Sequence, residues 1–290
     1  MWPPRTELNA RFDSQTVHLV WEVTLRCNLN CTYCFGHTSS GPVQSVFDEV
    51  SVEQTAQTLL EACGDRRLLF DMTGGEPMLV DQLFELVERL PPEQCHFRFQ
   101  TNGTVYRQFR PSLLNVAYHP QSMTANQNEA WWKNLARYAA DGHAVSAQLI
   151  ALPDSLDELE EVHARLSEVV GEEGVYVRYL LGRMGERQFP QQYSREELAR
   201  IRPLMRMRVV EEELLRIASW NFRGRPCRAG SELAVISRTG EVFRCTGAMG
   251  ESEALLGSLQ GGFAFHSREV RPCQYQCSCT HQGLWYCLGI

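Results

Sequence analysis

The sequence predicts an α/β protein built on a parallel sheet, followed by a smaller cysteine-rich segment of β-hairpin and loop. Two observations predict it. Strand-like runs alternate with helix-like runs from residue 17 to about 218, which is the pattern of repeated βαβ units. Past Trp220 the helical periodicity stops, glycine becomes frequent, and six of the eleven cysteines fall between 227 and 290. The pattern alone leaves the sheet either open and doubly wound or an incomplete barrel. It divides the chain into an extension over 1–16, a sheet-and-helix unit over 17–221 and a small unit over 222–290.

The elements follow in order. Val17 to Val23 is a strand. Ser51-Val52-Glu53-Gln54 has the capping-box form and opens a helix through Val52, Ala56, Leu59, Leu60 and Cys63. Leu68 to Met72 is a short buried strand, and Leu79 to Leu90 a helix stopped by Pro91-Pro92. Cys95 to Phe99 alternates as a strand does, and Leu113 to Tyr118 is another strand. Glu129 to Ala140 is a helix closed by Asp141-Gly142, and Ala144 to Leu152 a strand. Ser155 to Glu158 reads as a second capping box, Val175 to Leu181 as a sixth strand, and Ser194 to Glu197 as a third box opening a long helix towards Trp220. In the small unit, Leu233 to Ser237 and Glu241 to Arg244 flank Arg238-Thr239-Gly240 as a β-hairpin.

Composition narrows the class. The chain has 290 residues, 43% of them apolar, enough for a sizeable core. The net charge of -7 argues against non-specific nucleic-acid binding, which rests on positive charge. A basic stretch from Arg195 to Arg228 is interrupted by glutamates and reads as a solvated face. No run of 18 apolar residues and no secretory signal are visible, so the expected compartment is the cytoplasm, with no membrane partner. In a reducing cytosol, clustered cysteines bind metal or do redox chemistry. Lys133 is the only lysine, so any Schiff-base chemistry would depend on it, and it sits on an amphipathic helix.

The first cysteine cluster is Cys27, Cys31 and Cys34, a C-x3-C-x2-C directly after the first strand. Ligands of open α/β sheets and barrels bind at that strand edge. Three thiolates on one loop can hold three irons of a cubane cluster and leave the fourth open for chemistry. His37 could instead close a structural zinc site, the competing reading. Thr73-Gly74-Gly75-Glu76-Pro77 ends the second strand. Its paired glycines permit close backbone approach, and Glu76 could hold an ammonium group.

Together, the C-x3-C-x2-C with Tyr33 before its last cysteine and the G-G-E-P after the second strand resemble the radical S-adenosylmethionine (SAM) superfamily. The resemblance covers residues 17 to about 218 and implies a (β/α)6 partial TIM barrel. It implies that Cys27, Cys31 and Cys34 ligate a [4Fe-4S] cluster whose open iron chelates SAM. Tyr33 would lie near the adenine, and Gly74, Gly75, Glu76 and Pro77 would hold the methionine amino group. Thr101 and Asn102, in the Q-T-N-G that ends the third strand, would line the SAM or substrate site. The implied reaction is reductive cleavage of SAM to a 5′-deoxyadenosyl radical that abstracts a substrate hydrogen. The implied partner is an external one-electron reductant of the flavodoxin or ferredoxin kind.

Cys227, then Gly240 after twelve residues, then Cys245 after four more resemble the hairpin signature of the SPASM and twitch extensions of this superfamily. Cysteines before and after a hairpin meet at its base. The run departs from full SPASM spacing, with Cys273, Cys277 and Cys279 as C-x3-C-x-C, so the resemblance implies one auxiliary [4Fe-4S] cluster. Its expected ligands are Cys227, Cys245, Cys273 and Cys279, with Cys277 an alternative to either of the last two. A zinc-ribbon-like site is the competing reading. Cys63 and Cys95 read as buried free thiols, and Cys287 as core or an unused ligand.

The substrate is less legible. The barrel pattern starts about 17 residues into the chain, which favours a small molecule over a peptide held by an added domain. His119 at the end of the fourth strand, Gln148 on the fifth and Arg178 on the sixth are the candidate substrate contacts. An auxiliary cluster ligated by four cysteines would take an electron in a net oxidation, making the enzyme an oxidoreductase acting on a small molecule or peptide. The alternatives are a peptide-crosslinking or epimerising enzyme of the same superfamily and, from another class, a non-catalytic zinc or iron–sulfur module.

Overall fold

The computed structural model describes residues 15–34, 44–205, 223–224, 226–267 and 270–274. Six strands pair in parallel in the order of the sequence: β1 Thr16–Thr24, β2 Arg67–Gly74, β3 Cys95–Thr101, β4 Leu113–Tyr118, β5 Ala144–Ala151 and β6 Val175–Tyr179. Helices α1 Val52–Cys63, α2 Asp81–Arg89, α3 Ala125–Ala140 and α4 Leu156–Val170 lie between them. Right-handed crossovers between consecutive parallel strands put these helices on one face of the sheet. Residues 102–112 join β3 to β4 without a helix, and Phe109 packs there against Phe84 of α2 and Phe99 of β3.

Strand alternation then sorts the side chains. On β3, Phe97 and Phe99 are buried towards the helix layer, where Phe84 stacks on Phe99 and Phe70 of β2 stacks on Phe97. His96, Arg98 and Gln100 therefore point to the opposite face, which carries no helix among the described residues and is called the helix-free face below, together with Asp71 of β2.

Several helix boundaries differ from expectation. Ser51 caps α1 through the Gln54 N–H, and Ser194 makes a complete box with Glu197 at the start of α5, Arg195–Ile201. Ser155 makes no cap bond. Pro153 has already begun a 3-10 turn over Pro153–Ser155, so Ser155 lies inside a turn when α4 starts. The long helix towards Trp220 is likewise corrected. Pro203 sits in a 3-10 turn after α5, and the chain is extended at Met205. Residues 206–222 lie outside the described part. Helix α3 begins at Ala125, because Thr124 and Gln127 form a capping box. A small hairpin, β7 Gly182–Met184 with β8 Arg187–Phe189, follows β6.

The expected C-terminal hairpin is β10 Leu233–Ile236 with β11 Glu241–Phe243. Gly240 closes it at φ 84°, and an added Cβ would press on Val46. The hairpin joins the main sheet. β10 pairs in parallel with β1, His18 opposite Leu233 and Trp21 opposite Ile236. β12 Leu255–Ser258 and β13 Gly262–Phe263 extend the sheet to ten strands. A separate pair, β9 Pro226–Cys227 with β14 Arg271–Pro272, lies beside it.

Candidate functional site

The C-terminal ends of β1, β2 and β3 converge on the cysteine loop. Gly75 N–H donates to Thr24 O at 2.6 Å and Glu76 N–H to Arg26 O at 2.8 Å, stitching the G-G-E-P turn to the chain that leads into Cys27. An added Cβ at Gly75 would collide with the Arg26 carbonyl, and one at Gly74 (φ 122°) with the Thr24 carbonyl. Both glycines are thus required by the protein's own backbone.

Glu76 is fully buried. Its Oε1 accepts from the Met78 N–H at 2.9 Å and the Thr101 hydroxyl at 2.8 Å, and its Oε2 from the Asn102 N–H at 2.6 Å. Burial pushes its pKa up to about 7 against these three donors. The carboxylate braces the end of β2 against the end of β3. Asn102 turns outward. Its Nδ2 lies 3.5 Å from Cys27 Sγ and donates to Asn28 Oδ1 at 2.8 Å.

Cys27, Cys31 and Cys34 are all partly exposed on this loop. Cys27 Sγ also accepts from the Leu29 N–H at 3.4 Å. Burial raises the thiol pKa of Cys27 and Cys31, and the neighbouring thiols add to it. Among the described residues, no three His, Cys, Asp or Glu side chains are gathered tightly enough to hold a single metal ion.

Tyr33 donates to or accepts from His119 Nδ1 across 2.9 Å, tying the cysteine loop to the end of β4. Burial lowers the His119 pKa to about 4, so the imidazole is neutral at pH 7. Tyr33 also forms one wall of a shallow, open cleft. Tyr118 and Pro120 from the end of β4, Leu149 and Ile150 of β5, and Glu158, Leu159 and Val162 of α4 are among its other lining residues. Sequence reading singled out Tyr33 but not the β5 and α4 residues, because apolar positions there look like ordinary core.

The helix-free face carries a polar cluster that sequence reading missed. Asp71, 2% exposed, accepts from Arg98 Nε at 3.0 Å and from Arg98 Nη2, and from Gln100 Nε2 at 3.1 Å. Burial pushes the Asp71 carboxyl up. The Arg98 charge and hydrogen bonds, helped by His18 and Gln100, outweigh this and hold it below the usual range. His18 Nε2 stands 4.0 Å from Asp71 Oδ2, yet burial lowers its pKa to about 4, so this is no ion pair at neutral pH. Gln148 lies on the same face of β5, half-buried, and Arg178 is exposed on the edge strand β6. His119 is by contrast engaged with Tyr33 at the rim.

Cys227 and Cys245 lie towards the opposite rim. Cys227 on β9 pairs with Arg271 on β14, two residues before Cys273. Val235 faces Phe243, so Cys245 comes abreast of Leu233 at the start of β10, where Ala229 bridges Leu233. The hairpin thus returns Cys245 towards Cys227, as its geometry demands. Cys277, Cys279 and Cys287, and His37 of the zinc reading, lie outside the described residues. Cys63 and Cys95 are buried free thiols whose pKa burial raises to about 12. Lys133 is exposed and paired with Glu129 at 2.5 Å.

A parallel α/β sheet with three cysteines on the loop after its first strand defines a class of cluster-binding enzyme. A family profile for the radical SAM superfamily matches residues 21–166, half of the chain. The chain belongs to the radical SAM superfamily, and that family implies a [4Fe-4S] cluster and SAM. It is 34% identical over 102 residues to pre-heme d1 synthase of Dinoroseobacter shibae, covering 35% of this chain and 24% of that protein. It is 34% identical over 95 residues to 7-carboxy-7-deazaguanine synthase of Halobacterium salinarum, covering 32% and 35%. A probable GTP 3′,8-cyclase of Methanothermobacter thermautotrophicus is 36% identical over 96 residues, covering 31% and 29%. The chain therefore spans about a quarter to a third of the length of these curated relatives.

Solved structures agree on the fold. Native anSMEcpe with bound AdoMet superposes with a TM-score of 0.58 at 17% identity, covering 84% of this chain and 78% of that one. Streptococcus suis SuiB bound to S-adenosylmethionine gives 0.57 at 14% identity, covering 85% and 64%. These two proteins were also solved with peptides, Cp18Cys and the precursor SuiA respectively. The partial-barrel fold is thereby supported. No helix among the described residues is long and apolar enough to cross a membrane.

Proposed function

We propose that this radical SAM enzyme carries out a net oxidation of a small organic substrate, with a second cluster held by Cys227, Cys245, Cys273 and either Cys279 or Cys277 as electron acceptor. The observation that carries the reading is the placement of the two cysteine groups. Cys27, Cys31 and Cys34 follow the C-terminal end of β1, whereas Cys227 and Cys245 lie at the start of β10, which runs parallel to β1. The helix-free face spans the distance between them.

The residues at the first site fit a cluster that needs three protein ligands. Three thiols stand on one short loop, and Asn102 directs an N–H at Cys27 Sγ, where it would stabilise a thiolate. When bound, the cluster and SAM supply a 5′-deoxyadenosyl radical that abstracts a hydrogen atom. The chain's own residues bind and orient. The adenine would lie against Tyr33, where Leu149, Ile150, Leu159 and Val162 offer an apolar surface and Glu158 a polar edge. The neutral His119 fixes the Tyr33 ring through its hydroxyl. Glu76 holds the rim rigid by bonding two strand ends. The segment 222–290 acts as the auxiliary-cluster unit, and a flavodoxin- or ferredoxin-like protein supplies the electron.

Anaerobic reconstitution tests this. The reading expects about eight irons per chain and 5′-deoxyadenosine on reduction with SAM. Colourless protein with stoichiometric zinc would instead establish a non-catalytic module. A peptide substrate is the second reading, favoured by structural neighbours solved with peptides. Mass change in a peptide, rather than in a small molecule, would select it.

A further inference from the structure

The side chains of Asn28, Asn102 and Thr104 form a closed ring of hydrogen bonds. Asn102 Nδ2 donates to Asn28 Oδ1 at 2.8 Å, Asn28 Nδ2 to Thr104 Oγ1 at 2.7 Å, and the Thr104 hydroxyl to Asn102 Oδ1 at 2.7 Å. Each group donates to the next, so the ring has one sense. The Thr104 backbone N–H fixes that sense. It can only donate, and it meets Asn102 Oδ1 at 3.0 Å. The NH2 of Asn102 must therefore point the other way. One of its hydrogens closes the ring. The other is directed at Cys27 Sγ, 3.5 Å away, which also receives the Leu29 N–H at 3.4 Å. Asn102 is buried, and its own backbone N–H is held by Glu76 Oε2 at 2.6 Å. Backbone and side chain of Asn102 are thus both fixed. A ring that only tied the loop down would not need the second hydrogen.

We infer that Asn102 is a positioning residue that sets the reduction potential of the cluster at the first site, with Asn28 and Thr104 holding its amide in place. The inference rests on the reading of Cys27 as a ligand of that cluster. Taking up one electron from the external reductant puts more negative charge on the cluster and its ligand sulfurs. An N–H aimed at a ligand sulfur stabilises this reduced state more than the oxidised one, and so raises the potential. The donor comes from the end of β3 and the sulfur from the loop after β1. The ease of reducing the first site is therefore set from outside the cysteine loop.

Redox titration of the anaerobically reconstituted full chain, monitored by electron paramagnetic resonance, tests it. The signal to follow is the one that changes on adding SAM, which marks the first site. Asn102→Leu keeps a side chain of similar size and removes the donor. At a fixed applied potential its ratio of reduced to oxidised cluster should drop about tenfold, a fall of about 59 mV for one electron. Thr104→Val keeps the shape but opens the ring, and should lower the ratio about threefold. An unchanged or raised potential in Asn102→Leu overturns the inference. Should Asn102→Leu hold no iron at the first site, Thr104→Val decides: a lowered potential upholds the inference, and an unchanged one overturns it. A purely structural clamp would lose iron without moving the potential of the clusters that remain. A wild-type chain with no SAM-responsive signal would defeat the cluster reading itself, whereas a responsive signal with unmoved potentials defeats this inference alone.

Discussion

Glu76 and Thr101 stand at the ends of neighbouring strands, and the Thr101 hydroxyl donates to Glu76 Oε1 at 2.8 Å. With the Met78 and Asn102 N–H groups on the same carboxylate, this joins two motifs separated in sequence. Glu76→Gln puts an NH2 against one of these three donors. We expect a loss of about 1–3 kcal/mol in urea unfolding at pH 8, the cost of a buried unmatched donor. The folded pKa of Glu76 lies above its unfolded value, at about 7. Its contribution to stability therefore falls as pH rises from 4.5 through 7, and the Gln variant should lack that component.

His18 gives the opposite slope. Burial lowers its pKa to about 4, so its contribution is present above pH 6.5 and is lost as pH falls through 4. His18→Leu should remove on the order of 3 kcal/mol of acid sensitivity from the cluster-free chain. Urea unfolding of both proteins at pH 7 and pH 4.5 checks the difference. Equal acid sensitivity would refute it.

Tyr33→Phe keeps the ring in the cleft and removes the bond to His119. SAM binding should weaken about fivefold, the scale of one neutral hydrogen bond. Tyr33→Ala should weaken it further, with the iron content of the first site unchanged. Isothermal titration of reconstituted protein measures both.

Gly75→Ala places a methyl on the Arg26 carbonyl. The chain leading into Cys27 must shift, at roughly 1–3 kcal/mol for overpacking. A lower melting temperature and a smaller iron content after reconstitution are expected. Wild-type values for both would show that the turn relaxes without moving the cysteine loop.

Cys245→Ser separates the two cysteine groups. Iron should fall from about eight to about four per chain, while reductive SAM cleavage persists. If iron stays near four in both proteins, the C-terminal cysteines hold no cluster.

The cysteine loop was legible because Cys27, Cys31 and Cys34 sit within eight positions and follow a recognisable strand. Strand β3 was legible from alternation, yet the contact of Arg98 with Asp71 was not, since Asp71 lies on another strand and only register joins them. Ser155 misled because Pro153 changes where the turn begins. The same local effect operates at Pro203. The three donors on Glu76 were not legible, because spacing does not tell which groups surround a carboxylate. The attachment of β10 to β1 was invisible for a related reason: a parallel pairing between distant segments leaves no trace in either segment's own pattern.

That attachment has a consequence for synthesis. β1 leaves the ribosome long before β10, which covers its edge. Until then β1 exposes a ladder of unpaired N–H and C=O groups, the kind of edge that recruits neighbouring chains. Pairing across nearly the whole chain is also slow to close. Low expression temperature, or chaperones that shield strand edges, should raise the soluble yield more than any change in the cysteine chemistry.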